Sequence, residues 1–209
     1  MDFAEALDRD GFAFLPRVLD EASLQALVAA FPWMAEPSRR PVPLDPLKLW
    51  LEATGLTGDL GCLLGAGARP VRALMMGKGE GQDWDIGWHR DTTFAVAEPR
   101  EVEGFDSWVA KGPFYQVQAP EALVGRMLSL RIHLDDAGLE QGPLLVRPGS
   151  HRSGGAGPIA VAARRGQVLA MNPLLLHASE RPRSPAPRRV LHVEWAGFEL
   201  PGGLRWAWF

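Results

Sequence analysis

The chain has 209 residues, 46% of them hydrophobic, and a formal net charge of −3. That length supports one sizeable core and is marginal for two. The 22 basic and 25 acidic residues are mixed along the chain and leave no polycation for a nucleic-acid backbone. A lone cysteine, Cys62, excludes an internal disulfide framework and a cysteine-rich zinc site.

The opening MDFAEALDRDGF carries acids where a secretory leader would carry bases and then an apolar run, and no apolar stretch reaches membrane-spanning length. A soluble, cytoplasmic protein with no membrane or nucleic-acid partner is expected; the sequence does not fix an oligomeric state. Residues 3–9 predict a short helix, and GFAFL (11–15) a first strand ending at Pro16. Asp20 is a good N-cap for a helix whose Leu24, Leu27, Val28 and Phe31 follow at helical spacing until Pro32 stops it. PLKLWLEA (46–53) predicts another helix, with Gly55 past its end.

After Pro70 the pattern changes to strands, expected at 71–77, 86–93, 127–134, 143–147, 167–171, 174–177 and 188–195. Helices followed by antiparallel strands predict an α+β, mainly β chain: one domain over 1–209, with a helical part at 1–70 and a sandwich or jelly-roll core at 71–209. The 95–120 stretch, charged and then aromatic, reads as a mobile functional loop. GKGEG and GGAGP lack the context of a phosphate loop and read as flexible turns, and His151 in PGSHR reads as structural.

Chemistry concentrates in GWHRDTTF (87–94). In a strand, His89 and Asp91 fall on one face with Cα atoms roughly 6.5 Å apart. H-x-D alone is more often a hydrogen-bonded core pair than a ligand set. His177, at the end of the apolar run NPLLLH, is the best candidate for a third ligand; two histidines and one carboxylate make the facial triad of non-haem Fe(II) sites. Arg188 follows His177 by eleven residues at the head of RRVLHVEW. A guanidinium in a sheet is costly unless it meets a carboxylate, such as the far end of 2-oxoglutarate. Alternation turns Leu128, Leu130, Ile132 and Leu134 to one face and Arg131 and His133 to the other. It likewise separates Leu191, Val193 and Trp195 from Val190, His192 and Glu194.

HRD, GPLLVRPGSHR (142–152), HAS and the spacing to Arg188 together resemble the phytanoyl-CoA dioxygenase family of Fe(II)/2-oxoglutarate oxygenases. The likeness extends to DGFAFLPRVLDEASLQAL and LSLRIHLDD. It implies a double-stranded β-helix (jelly roll, cupin-like) with N-terminal helices on one sheet. It also implies iron ligation by His89, Asp91 and His177, and 2-oxoglutarate held by Arg188 with help from Ser179. Because Asp91 keeps the carboxylate that halogenating relatives lack, the expected reaction is hydroxylation of a small molecule with dioxygen. Arg131 stands where many members carry tryptophan and is placed with the cosubstrate set. His133, Trp84, Phe94, Trp108, Tyr115 and Gln116 are the candidate substrate pocket. Two other readings stay open: a non-redox cupin-like isomerase or hydrolase, which would have no need of Arg188, and a non-catalytic β-sandwich binding module.

Overall fold

The computed structural model describes residues 2–152 and 154–207. In chain order it runs α1 (Phe3–Asp10), β1 (Phe12–Val18), α2 (Glu21–Ala30), β2 (Arg39–Pro41), α3 (Leu44–Ala53), α4 (Leu56–Leu64), β3 (Arg69–Met76), β4 (Ile86–His89) and β5 (Thr93–Val96). There follow β6 (Asp106–Lys111), β7 (Phe114–Gln118), α5 (Glu121–Val124), β8 (Leu128–His133), β9 (Leu144–Val146), β10 (Ile159–Val161), β11 (Gln167–Met171), β12 (His177–Ser179) and β13 (Val190–Ala196). The strands form a six-stranded sheet in the order β1-β11-β8-β13-β3-β2, a four-stranded sheet β10-β9-β12-β4 and a three-stranded sheet β5-β7-β6. All recorded pairings are antiparallel, the jelly-roll arrangement expected from the sequence.

The period of two in β8 and β13 decides what each face of the six-stranded sheet meets. On one face Leu128, Leu130, Ile132, Leu191, Val193 and Trp195 join a core with Leu24 and Leu27 of α2 and Leu47 and Leu51 of α3. α2 starts where expected, because Asp20 accepts a hydrogen bond from the Ser23 amide at 2.8 Å. Burying one such leucine stabilises the fold by about 1.5–3 kcal/mol, so this face anchors the sheet. The opposite face carries Ser129, Arg131 and His133 of β8 beside His192 and Glu194 of β13, all buried. Arg189 falls outward as its parity requires: its guanidinium donates to Asp135 at 2.6 and 2.8 Å and to the carbonyls of Met34 and Ala35 at 2.9 Å.

Several boundaries differ from the sequence reading. β1 continues past Pro16, which is tolerated because β1 is an edge strand whose register is irregular between Phe14 and Val18. α4, β2 and β10 were not expected, and β1 and β2 tie the nominally helical 1–70 part into the large sheet. The run 174–177 is a turn rather than a strand, closed by Leu174 N–H to Asn172 Oδ1 at 2.9 Å, and β12 begins only at His177. The 95–120 stretch is no irregular loop. It completes the three-stranded sheet as a β6-β7 hairpin whose β7 pairs with β5, turning at Gly112 with φ +69° and burying Phe105 and Val117 with Phe94 and Val96 in a second core.

Ile132 has no exposed surface, whereas Ile159 on β10 is 46% exposed. Ile132→Ala is expected to cost about 2–5 kcal/mol in urea unfolding, and Ile159→Ala less than about 0.5 kcal/mol. Similar losses for the two would contradict this assignment of the core.

Candidate metal centre

His89, Asp91 and His177 offer ligand atoms that all lie within 4.8 Å of one another. Their convergence is built differently from the single strand the sequence suggests. β4 ends at His89, and Asp91 lies beyond it, held by its amide donating to the Pro173 carbonyl at 2.9 Å. Arg90, between the two ligands, clamps the turn by donating to the carbonyls of Leu174 at 2.8 Å and Ser150 at 3.0 Å. β12 pairs with β4 so that His177 stands opposite His89, their rings 4.2 Å apart between centroids. Ser150, of the PGSHR turn, accepts the Leu176 amide at 2.9 Å and so fixes the approach to His177.

The tautomers follow from what the rings touch. Nδ1 of His89 lies 2.8 Å from the Gly87 carbonyl and Nδ1 of His177 lies 2.8 Å from the Leu175 carbonyl. A carbonyl can only accept, so both Nδ1 atoms carry the proton and both Nε2 lone pairs are free to ligate. Those Nε2 atoms sit 3.6 Å and 3.7 Å from the two oxygens of Asp91. Burial pushes His177 down to about 4 and keeps it neutral. Burial works to raise the Asp91 carboxyl, but His177, His192 and Arg72 outweigh it and hold it below the ordinary carboxylate range. Two imidazoles and one carboxylate suit a divalent metal such as iron.

The triad opens into a cavity of about 310 Å³ floored by the polar face of the large sheet. Arg72 donates to Glu194 from Nε at 2.8 Å, and His192 lies 3.6 Å from the same carboxylate, so this part of the floor is charge-balanced. Toward the head of β13 the balance ends. Arg188 is 1% exposed, and its Nε and Nη2 atoms have no hydrogen-bond partner. Burial and the neighbouring Arg131 push it down to about 9. Lys78, bridged to Arg188 through the backbone, donates to Ser179 Oγ at 2.8 Å and to the Glu180 carbonyl. Burial, then Arg188 and Arg131, lower Lys78 to about 7. The Trp84 ring lies against Lys78, Arg39 and Arg188 at 4.3, 5.0 and 5.9 Å. Buried donors of this kind fit a carboxylate.

Of the residues expected to line a substrate pocket, Trp84 and Gln116 line this cavity, as do Arg131 and Ser179. Phe94, Trp108 and Tyr115 do not. Phe94 is 1% exposed within the second core, its ring tilted against Trp206 at 4.9 Å between centroids, and Trp108 and Tyr115 pack against that core because the β6-β7 hairpin turns them away. His133 faces inward but is occupied, its Nδ1 at 3.1 Å from the Gln167 carbonyl and its ring beside Phe14. His151 is structural as expected, its Nε2 3.1 Å from the Asp8 carbonyl. Lys78, Arg72 and Arg39 were missed. Lys78 had a signal: it continues the inward parity of Arg72, Leu74 and Met76, masked by the glycines on either side.

The family model described as Phytanoyl-CoA dioxygenase (PhyH) matches residues 70–190. No curated protein matches. Among solved structures, the chain is similar to AviO1 from Streptomyces viridochromogenes Tue57, at 21% identity and a TM-score of 0.62 over 96% of both chains. It is also similar to EctD from S. alaskensis with 2-oxoglutarate and 5-hydroxyectoine, at 19% identity and a TM-score of 0.66 over 92% of this chain and 74% of that one. A third is SnoK, an alpha ketoglutarate dependent carbocyclase from nogalamycin biosynthesis, at 18% identity and a TM-score of 0.65 over 92% and 82%.

Asp91 is the only carboxylate of the triad. Asp91→Ala is expected to weaken Fe(II) binding at least about tenfold, read as metal retained after anaerobic dialysis. Retention equal to that of the unaltered chain would refute the ligand set.

Proposed function

The chain belongs to the phytanoyl-CoA dioxygenase family, and from that premise we propose that it hydroxylates an unactivated C–H bond of a small molecule. As a member it is a non-haem Fe(II)/2-oxoglutarate oxygenase. The observation that carries the cosubstrate reading is Arg188, a buried guanidinium with unpartnered donors. It lies four residues, or about 13 Å of extended strand, from His192, which lines the same cavity as the triad. Neither a non-redox metalloprotein nor a binding module accounts for that orphan charge.

When bound at His89, Asp91 and His177, iron supplies dioxygen activation, with 2-oxoglutarate as the reductant that is oxidised to succinate and carbon dioxide. The chain's own residues position and insulate. Arg188 takes the distal carboxylate, and Ser179 and Lys78 stand beside it to donate further hydrogen bonds. Leu74, Met76, Ile86 and Leu144 give the cavity apolar walls that limit water. The Asp91 carboxylate leaves no ligand gap of the kind halogenation uses, which supports hydroxylation; a carbocyclase of similar fold shows that the same architecture accommodates other outcomes. A cytoplasmic location belongs to this proposal, supported by the exposed, unpaired Cys62. Among the described residues no helix is long and apolar enough to cross a membrane.

Arg188→Gln is expected to raise the 2-oxoglutarate KM about ten- to a hundredfold, the loss of a charge-assisted contact of roughly 1.5–3 kcal/mol. Arg189→Gln, whose partners are Asp135 and the turn after α2, should leave KM nearly unchanged and lower the urea midpoint. The opposite pattern would rule out Arg188 as the cosubstrate's anchor.

Lys78 gives a pH-linked test. With a pKa of about 7 it is mostly neutral at pH 8, and an arriving carboxylate favours the charged ammonium. Calorimetry at pH 8 in buffers of different ionisation enthalpy should therefore show proton uptake on 2-oxoglutarate binding. Uptake should fade below about pH 6.5 and vanish in Lys78→Met. Buffer-independent heats in the unaltered chain would contradict it.

A further inference from the structure

We propose that Arg131 anchors an anionic group on the substrate, so that the enzyme acts on a small molecule bearing a carboxylate, phosphate or sulfate. This deepens the oxygenase reading and rests on it. Arg131 sits in the middle of β8, paired across to His192 on β13 and to Leu169 on β11. It is 4% exposed, and it lines the cavity that holds His89, Asp91 and His177. Its Nε has no hydrogen-bond partner, and the carboxylate whose charge favours its ionised form, Asp91, already belongs to the candidate triad.

The contrast with Arg72 is informative. Both arginines are buried on the same floor, but Arg72 is neutralised by Glu194, which leaves that carboxylate already engaged. A buried charge without a partner is expensive to keep, and its retention points to a ligand that completes it. The cosubstrate does not supply enough charge. Iron(II) and Asp91 together leave one positive charge, 2-oxoglutarate brings two negative ones, and Arg188 restores the balance to zero. Arg131 then stands as an uncancelled positive charge before Lys78 is counted. The entrance has the same sign: exposed Arg39 lines it, stacked 5.0 Å from the Trp84 ring.

The test uses the whole chain loaded anaerobically with Mn(II) and saturated with 2-oxoglutarate, so that Arg188 is occupied. Inorganic phosphate is then titrated at constant ionic strength and followed by calorimetry. The expected result is saturable binding of roughly millimolar affinity, at least about tenfold weaker in Arg131→Met and largely kept in Arg131→Lys. 2-Oxoglutarate affinity in Arg131→Met should fall by less than phosphate affinity does, because Arg188 remains to hold the distal carboxylate. Arg131→Met should also melt at or above the temperature of the unaltered chain, because a buried charge without an ion-pair partner has been removed; Arg131→Gln, expected to weaken phosphate binding as the Met variant does, carries the test if that variant does not fold. Phosphate binding that is absent, or equal in all three chains, would overturn the proposal. So would a tenfold loss of 2-oxoglutarate affinity in Arg131→Met, which would assign Arg131 to the keto-acid end of the cosubstrate. Failure of the unaltered chain to bind 2-oxoglutarate at all would instead remove the oxygenase reading beneath it.

Discussion

Arg188, Lys78 and Arg131 are desolvated inside the barrel, while the interior carboxylates beside them are either paired, as Glu194 is with Arg72, or part of the candidate ligand triad, as Asp91 is. This excess of buried positive charge is the constraint around which the site is organised. Burial first, and then the repulsion among these groups, lowers Lys78 to about 7 and Arg188 to about 9, and their charge favours anions over cations in the cavity. A core of such charges would not persist on its own. It is held by the opposite face of the same sheet, where Leu130, Ile132, Leu191, Val193 and Trp195 are fully buried against the N-terminal helices.

The period of two in a strand lets one sheet do both things. Each residue of β8 and β13 either joins the apolar core or faces the cavity, and a shift of one residue would exchange Arg188 with Arg189 and His192 with Leu191. The smaller sheet contributes the ligands, with β12 and β4 paired so that the two histidines stand opposite one another. Backbone carbonyls at Gly87 and Leu175 set both tautomers. In the proposed arrangement the two histidine ligands come from the smaller sheet and the carboxylate anchor Arg188 from the head of β13 in the larger one, so the spacing between them is fixed by the packing of one sheet against the other.

Much of this was legible in the sequence because alternation and spacing are local properties. The inward row of Arg188, His192 and Glu194 and the outward Arg189 follow from them, whereas Asp91 reaches the histidines from beyond the end of β4 rather than by strand alternation. What the sequence concealed depends on tertiary context. Lys78 sits between glycines and looks like a turn residue, although its parity with Arg72 continues through Met76. Thr93–Val96 and Phe114–Gln118 are short strands separated by charged residues, so the three-stranded sheet reads as a loop in the sequence, and Phe94, Trp108 and Tyr115 read as pocket residues although they pack against the second core. His133 has the right parity for the cavity, but the Gln167 carbonyl claims it.

In the proposed reading one cavity binds a metal at the triad and a dicarboxylate between that metal and Arg188. Anaerobic calorimetry of 2-oxoglutarate with the Fe(II)-loaded and metal-free chain decides it. Saturation at one molecule per chain is expected, tighter with Fe(II) and weaker but still measurable without it, because Arg188 remains to hold the distal carboxylate. No saturable binding in either form, or the same affinity in both, would contradict it.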